Sequence, residues 1–234
     1  MARLSTPASL APRLAALDSC ACSDAMDQLG IVGVAPGLRG LTVARRVTGP
    51  VITVQLGLAG GGAPAGSGAP AGRHLGTAAI EAAVPGDVIV IAAGGRTDAA
   101  GWGGVLSLAA TIRQVSGVIV DGACRDVDES TALGLPVYAL AAVPVTARGR
   151  HAEVAWNGPV QIAGVTVDPG DLVVADGSGV VFLPAGRAAD IIAAAEAIAA
   201  REAAMARRIR GGEPASRVLS ADYEEMLNTR EDSS

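Results

Sequence analysis

Three apolar runs, Val88–Ala92, Gly117–Val120 and Pro136–Leu140, occupy the middle of the chain and alternate with segments of helical pattern. A strand that is apolar on both faces must be covered on both sides, and a helix between two such strands returns the chain to the same edge. The alternation therefore predicts a layered α/β core with parallel pairing. The helices are predicted over His74–Ala83, Gly103–Gln114 and Asp126–Leu133. A turn at Pro85–Asp87, a glycine-rich loop at Gly94–Gly101 and a turn at Asp121–Arg125 connect them to the strands.

The flanks differ from this centre. Two helical patterns open the chain, Leu10–Leu17 and Ser23–Leu29, the second with Ser23 and Asp24 as its caps. Strands follow at Leu41–Val47 and Pro50–Leu56, with Thr48-Gly49 as a turn between them. The segment Ala59–Gly72 is almost wholly Gly, Ala, Pro and Ser and reads as a flexible loop. Beyond residue 150 come five short strands, Val154–Trp156, Val160–Ile162, Val165–Val167, Leu172–Ala175 and Gly179–Leu183, read as a β-meander. Asn157-Gly158, Pro169-Gly170 and Asp176-Gly177 are its turns. A closing helix spans Ala188–Arg210 and stops at Gly211-Gly212. In 234 residues this makes one domain over 1–212, with a polar tail over 213–234.

Composition excludes several functions. All 18 basic residues are arginine. Schiff-base aldolases, pyridoxal phosphate enzymes and Walker-type phosphate loops each need a lysine amine, so none of them is built here. Half the residues are apolar but only 2% are aromatic, which leaves few platforms for stacking bases. The net charge is −5 and the arginines are scattered, apart from Arg207, Arg208 and Arg210. That pattern predicts no nucleic-acid partner. Cys20, Cys22 and Cys124 are too few for a disulfide framework and suit a reducing cytoplasm. No stretch reaches the ~20 apolar residues of a membrane span, and the start lacks the pattern of a secretory leader.

In α/β layers ligands bind beyond the carboxyl ends of the strands, where helix N-termini offer free N–H groups. Two such junctions follow one another. In the first, Gly94 to Ser107, the glycines permit close backbone approach, and the amides of Gly103, Gly104, Val105 and Leu106 are placed to hold a carboxylate. In the second, Asp121 to Glu129, Arg125 and Asp126 set an anion fork beside a hard-metal ligand. A structural alternative stays open there, because Asp126 with Glu129 three residues on also suits a capping box. Asp98 is a further candidate carboxylate. His74 and Trp102 are better read as a surface histidine and a packing residue.

The ordered motifs Pro85-Gly86-Asp87, Trp102-Gly103-Gly104, Gly117-Val118-Ile119-Val120-Asp121-Gly122, Arg125-Asp126, Leu135-Pro136-Val137, Pro169 to Asp176 and Gly179-Val180-Val181 closely resemble the RraA-like family. That family includes the 4-hydroxy-4-methyl-2-oxoglutarate / 4-carboxy-4-hydroxy-2-oxoadipate aldolases. The resemblance covers about Ser23 to Gly212. It implies a three-layer β/β/α swivelling-type domain with a C-terminal helix, assembled as homotrimers or homohexamers with active sites between subunits. It also implies Asp126 as metal ligand, Arg125 as substrate-binding and catalytic arginine, and Gly103, Gly104, Val105 and Leu106 as the substrate-contacting loop.

The implied chemistry is a lyase that releases pyruvate from a 4-hydroxy-2-oxo acid or decarboxylates oxaloacetate. The alternatives are a non-catalytic regulator of ribonuclease or a lyase for another hydroxy-oxo acid. Without lysine, a divalent cation is the available electron sink, and the scarcity of His and Cys ligands favours Mg²⁺ or Mn²⁺. The family's aldolases carry an acid where this chain has Gly104. Their third carboxylate comes from a neighbouring subunit's C-terminal helix, for which Glu202 and Glu196 are the candidates.

Overall fold

The computed structural model describes residues 10–60 and 74–219. Most of the loop expected at Ala59–Gly72, and the tail past residue 219, lie outside the described residues. In chain order the elements begin with helices α1 (Leu10–Ala15) and α2 (Ser19–Gln28), then strands β1 (Val34–Ala35), β2 (Arg39–Gly40) and β3 (Val47–Leu58). Helix α3 (Thr77–Ala82), β4 (Val88–Trp102), α4 (Gly104–Ile112), β5 (Gly117–Cys124), α5 (Val127–Ala132) and β6 (Val137–Ala142) form the alternating centre. Strands β7 (His151–Trp156), β8 (Val160–Ile162), β9 (Val165–Val167), β10 (Leu172–Ala175) and β11 (Val180–Leu183) precede α6 (Ala188–Arg210) and the short α7 (Ala215–Val218).

Strands β3, β4, β5 and β6 pair in parallel, as the crossover helices require. Around them the pairing is antiparallel: β2 on β6, β7 on the far half of β3, and β10 on the near half of β3, with β11 and β1 beyond. Strand β3 thus serves two sheets. Its residues 47–50 pair with β10, and from Val51 onward it pairs with β4.

One apolar cluster lies between the sheets, with Val88, Val90 and Ile119 facing Val173, Val180 and Phe182. A second fills the space under α3 and α4, around Ile89, Ile91, Val118 and Trp102. The result is the expected β/β/α stack. A third cluster packs α1, α2 and α6 on the outer face of β10 and β11 through Leu14, Met26, Leu183 and Ile191. Hence an outer helical layer covers the β/β/α core.

Five local expectations are corrected. Thr48-Gly49 is no turn, and Leu41–Arg46 is not strand, because β3 begins at Val47 and runs straight through. Gly49 is needed instead for close approach, since a Cβ there would stand 2.1 Å from the Gly86 carbonyl oxygen. Gly94–Gly101 is not a loop. Bulges between Ala92 and Trp102 absorb the extra residues, so β4 keeps its ladder with β5 to the end. Asp121–Arg125 is not a turn either, since β5 runs on to Cys124. The five late strands are not one meander: β7 joins β3, β8 and β9 form their own hairpin, and β10 and β11 join the second sheet. Helix α2 starts four residues earlier than expected, because Asp18 accepts from the Ala21 amide at 2.8 Å and takes the cap assigned to Ser23 and Asp24.

Among the described residues no helix is long and apolar enough to cross a membrane.

Candidate active site at the carboxyl ends of β4 and β5

Strands β4 and β5 end side by side, with Trp102 paired to Cys124. The Arg125 amide then donates to the Trp102 carbonyl at 3.0 Å, which locks the two strand-to-helix junctions at one level. Immediately beyond, Gly103 precedes α4, and Arg125 and Asp126 lead into α5. The sequence places these residues at strand ends. The sheet brings them together.

Asp126 adopts the left-handed conformation, φ 54° and ψ 45°. Few non-glycine residues do so, although aspartate tolerates it better than most. Its side chain makes no capping bond to its own helix. Instead Oδ2 accepts from the Gly104 amide at 2.9 Å and lies 3.3 Å from Arg125 Nε. The capping-box alternative is therefore corrected: Asp126 caps the neighbouring helix α4. Arg125 and Asp126 are 39% and 33% exposed, so both remain reachable by a small ligand.

The two glycines make this approach possible. A Cβ on Gly103 would stand 2.8 Å from Asp126 Oδ2, and one on Gly104 would stand 3.1 Å from Asp126 Cβ and 3.3 Å from Glu129 Cβ. The mouth of the site thus has backbone where a side chain would otherwise stand, flanked by two acids. The Glu129 side chain is exposed and makes no hydrogen bond or ion pair among the described residues. Sequence reasoning used it only as a cap partner. With Asp126 turned away, that role is gone.

Val105 is 83% exposed, and Leu106 turns into the core at 7%. Val105, Leu108 and Ile112 stand exposed on one face of α4 at helical spacing. Beneath α4 a buried polar chain links Trp102, Ser107 and Ser130 to the Asp126 carbonyl. Residue pattern alone offered no signal for either serine, because a serine inside a helical stretch looks like any small residue.

The RraA-like family model, described as Aldolase/RraA, matches residues 19–182. This chain belongs to the RraA-like family. It is 34% identical over 176 residues to a protein of Halalkalibacterium halodurans named "Putative 4-hydroxy-4-methyl-2-oxoglutarate aldolase", covering 73% of this chain and 74% of that one. It is also 30% identical over 193 residues to Protein DlpA of Legionella pneumophila, covering 80% of this chain but only 29% of DlpA's length.

Among solved structures, an uncharacterized protein from Pseudomonas syringae superposes with a TM-score of 0.81 at 28% identity, covering 94% of this chain and all of that one. Streptomyces coelicolor RraAS2, described as an unusual member of the RNase ES inhibitor RraA protein family, superposes with a TM-score of 0.73 at 27% identity. The alignment covers 89% of this chain and 98% of that one.

Within this RraA-like fold Asp98, Glu196, Glu202 and His74 make no hydrogen bond or ion pair to Arg125 or Asp126 among the described residues. Asp98 accepts from Arg96 at 3.0 and 2.6 Å, and that pairing holds its carboxyl below the usual carboxylate range. Glu196 and Glu202 stand on α6, whose apolar face packs in the outer layer. Glu196 accepts both arms of Arg13 at 2.8 and 2.6 Å. Burial, with Asp18 and Asp24 nearby, pushes the Glu202 carboxyl up. Neither glutamate meets Asp126 within one protomer. His74 is exposed and holds Thr77 through its carbonyl, while Trp102 is buried and packs.

Among the described residues no three His, Cys, Asp or Glu side chains are grouped to hold a metal. Asp126 has its second oxygen to offer. Magnesium is commonly held by one or two carboxylates, with water and substrate oxygens completing the shell. One carboxylate beside an open mouth fits that pattern, and it does not fit the closed nitrogen and sulfur shell of structural zinc.

Proposed function

We propose that this chain is a divalent-metal-dependent lyase that cleaves a 4-hydroxy-2-oxo acid, or decarboxylates oxaloacetate, with release of pyruvate. The observation that carries the reading is the meeting of Arg125, the Asp126 carboxylate and the first turn of α4 at the ends of two parallel strands. The aldolase name of the Halalkalibacterium relative supports it.

Each group has a task. A Mg²⁺ or Mn²⁺ ion held by Asp126 supplies the electron sink that a lysine-free chain must find elsewhere. The Arg125 guanidinium binds the carboxylate of the 2-oxo acid as a fork. It also offsets negative charge growing on the C2 oxygen, an effect of a few kcal/mol in comparable sites. The amides of Val105 and Leu106, in the first turn of α4, have no acceptor within the helix and face anions favourably.

In retro-aldol cleavage the 4-hydroxyl loses its proton, the C3–C4 bond breaks, and its electrons pass toward C2 and its oxygen. C3 then takes up a proton to give pyruvate. Decarboxylation breaks the bond to CO₂ and needs no base. With glycine at 104, the nearby Glu129 carboxylate has no partner among the described residues, and it is assigned as the base for the retro-aldol route.

The same proposal includes a homotrimer or homohexamer in a reducing cytoplasm. The exposed stripe of Val105, Leu108 and Ile112 beside the site suits a second copy of this chain. A neighbour is also the available source for Glu196 or Glu202.

The test is pyruvate release from oxaloacetate and from 4-hydroxy-4-methyl-2-oxoglutarate, followed by lactate dehydrogenase coupling. Activity that needs Mg²⁺ or Mn²⁺ and vanishes with chelator supports the reading. Metal-replete protein inert on both acids sinks it. The likeness to RraAS2 keeps one rival, a ribonuclease regulator acting by protein contact. Metal-independent capture of a ribonuclease, by a chain inert on both acids, would put that rival first.

A further inference from the structure

We propose that Ser107 and Ser130 are positioning residues whose buried hydroxyls hold Asp126 in its left-handed conformation and so aim its carboxylate; the inference rests on the lyase reading for its functional consequence. Trp102 Nε1 donates to Ser107 Oγ at 2.8 Å, the two serine oxygens are 2.8 Å apart, and Ser130 Oγ donates to the Asp126 carbonyl at 3.1 Å. Trp102, Ser107 and Ser130 are 2%, 0% and 1% exposed, so water does not compete for these groups.

The chain of donors runs in one direction. An indole N–H only donates and a carbonyl only accepts. Ser107 therefore accepts from Trp102, Ser130 gives its proton to Asp126, and the remaining proton, that of Ser107, goes to Ser130. Every buried polar atom is then satisfied by one arrangement.

That arrangement joins the groups the site depends on. Trp102 ends β4 and receives the Arg125 amide on its carbonyl; Ser107 lies in α4 and Ser130 in α5. The Asp126 carbonyl also receives the Ser130 amide at 3.1 Å, so Ser130 grips it with both backbone and side chain. A left-handed aspartate persists where its surroundings over-determine it. Here the grip on the carbonyl and the Gly104 amide on the carboxylate hold it from opposite ends.

The test compares wild type, Ser107→Ala, Ser130→Ala and the double variant by three measurements: Mn²⁺ titration calorimetry, oxaloacetate kinetics, and crystal structures that show the Asp126 backbone. Thermal melts establish which variants are folded. The expected result for folded variants is a weakening of Mn²⁺ binding of about tenfold or more, the range seen when groups behind a metal ligand are removed. The fall in kcat accompanies it, and Asp126 leaves the left-handed region. The double variant should lose no more than the worse single one, because either deletion breaks the same chain.

Folded variants that melt earlier yet keep wild-type Mn²⁺ affinity and an unmoved Asp126 overturn the proposal, since the serines would then be packing alone. If wild type itself binds no Mn²⁺ and turns over neither acid, the lyase reading fails. The Asp126 conformation in the variants still decides the positioning claim.

Discussion

The two ends of the parallel sheet both carry a pair of charged neighbours, yet the helix ends beside them differ. At the carboxyl end Arg125 and Asp126 stand beside the start of α4, where free amides favour negative charge. At the amino end Arg45 and Arg46 line a cavity of about 440 Å³ with Thr111, Gln114, Ser116 and Gly134, where α4 and α5 finish. Helix C-termini present carbonyls and favour cations, and these arginines already meet acceptors of the protein, Arg45 the Ser116 carbonyl at 3.5 Å and Arg46 the Asp176 carboxylate at 3.9 Å. Helix direction distinguishes the two ends, since α4 starts at one and α4 and α5 finish at the other.

Substitutions can break this contrast, beginning with the largest expected effect. Arg125→Ala and Asp126→Asn should each lower pyruvate release by about 100-fold or more, as removal of one electrostatic group does elsewhere. Steady-state kinetics on oxaloacetate read this directly, and near-normal rates in either would move the site away from the carboxyl end.

Glu129→Gln divides the two reactions. Retro-aldol cleavage should fall by about 100-fold, the usual scale for a lost general base, while oxaloacetate decarboxylation holds, because only the first needs a proton removed. Equal losses on both substrates would make Glu129 a structural or metal-associated acid.

Alkylation sharpens the picture of the β5 end. Burial pushes the Cys124 thiol up to about 11 and the Cys22 thiol up to about 12, whereas Cys20 is exposed. Iodoacetamide at neutral pH should label Cys20 and spare the other two, as mass spectrometry of the intact protein would show. Rapid labelling of Cys124 would mean that β5 opens beside Arg125. At the amino end the effect should be smallest. Arg45→Ala and Arg46→Ala should leave turnover unchanged and shift the melting free energy by about 0.5 kcal/mol or less.

Legibility followed the range of the interaction. Strands Val160–Ile162, Val165–Val167 and Leu172–Ala175 and the helix Ala188–Arg210 match the sequence reading residue for residue, because period, turn chemistry and caps are local signals. The glycine-rich stretch Gly94–Gly101 misled, since glycine and charge look like a loop until the neighbouring strand shows that bulges hold them in the ladder. Thr48-Gly49 misled for the same reason, its glycine answering the carbonyl of Gly86 across the fold. The capping-box alternative at Asp126 misled as well. A capping box is a local pattern, and the Gly104 amide that draws the carboxylate away is 22 residues distant in the chain.

The sequence by itself determined the alternation that makes the centre parallel, the position of Arg125-Asp126 after a buried strand, and, through its missing lysine, the chemistries that are closed to this chain. Only the tertiary structure decided which helix Asp126 caps, that the Glu129 side chain beside Gly104 has no partner among the described residues, and that Ser107 and Ser130 connect Trp102 to the Asp126 carbonyl. The physical reason is that a residue's type and spacing set its own backbone preference and charge. Where its side chain points depends on the donors that another strand or helix brings within 3 Å.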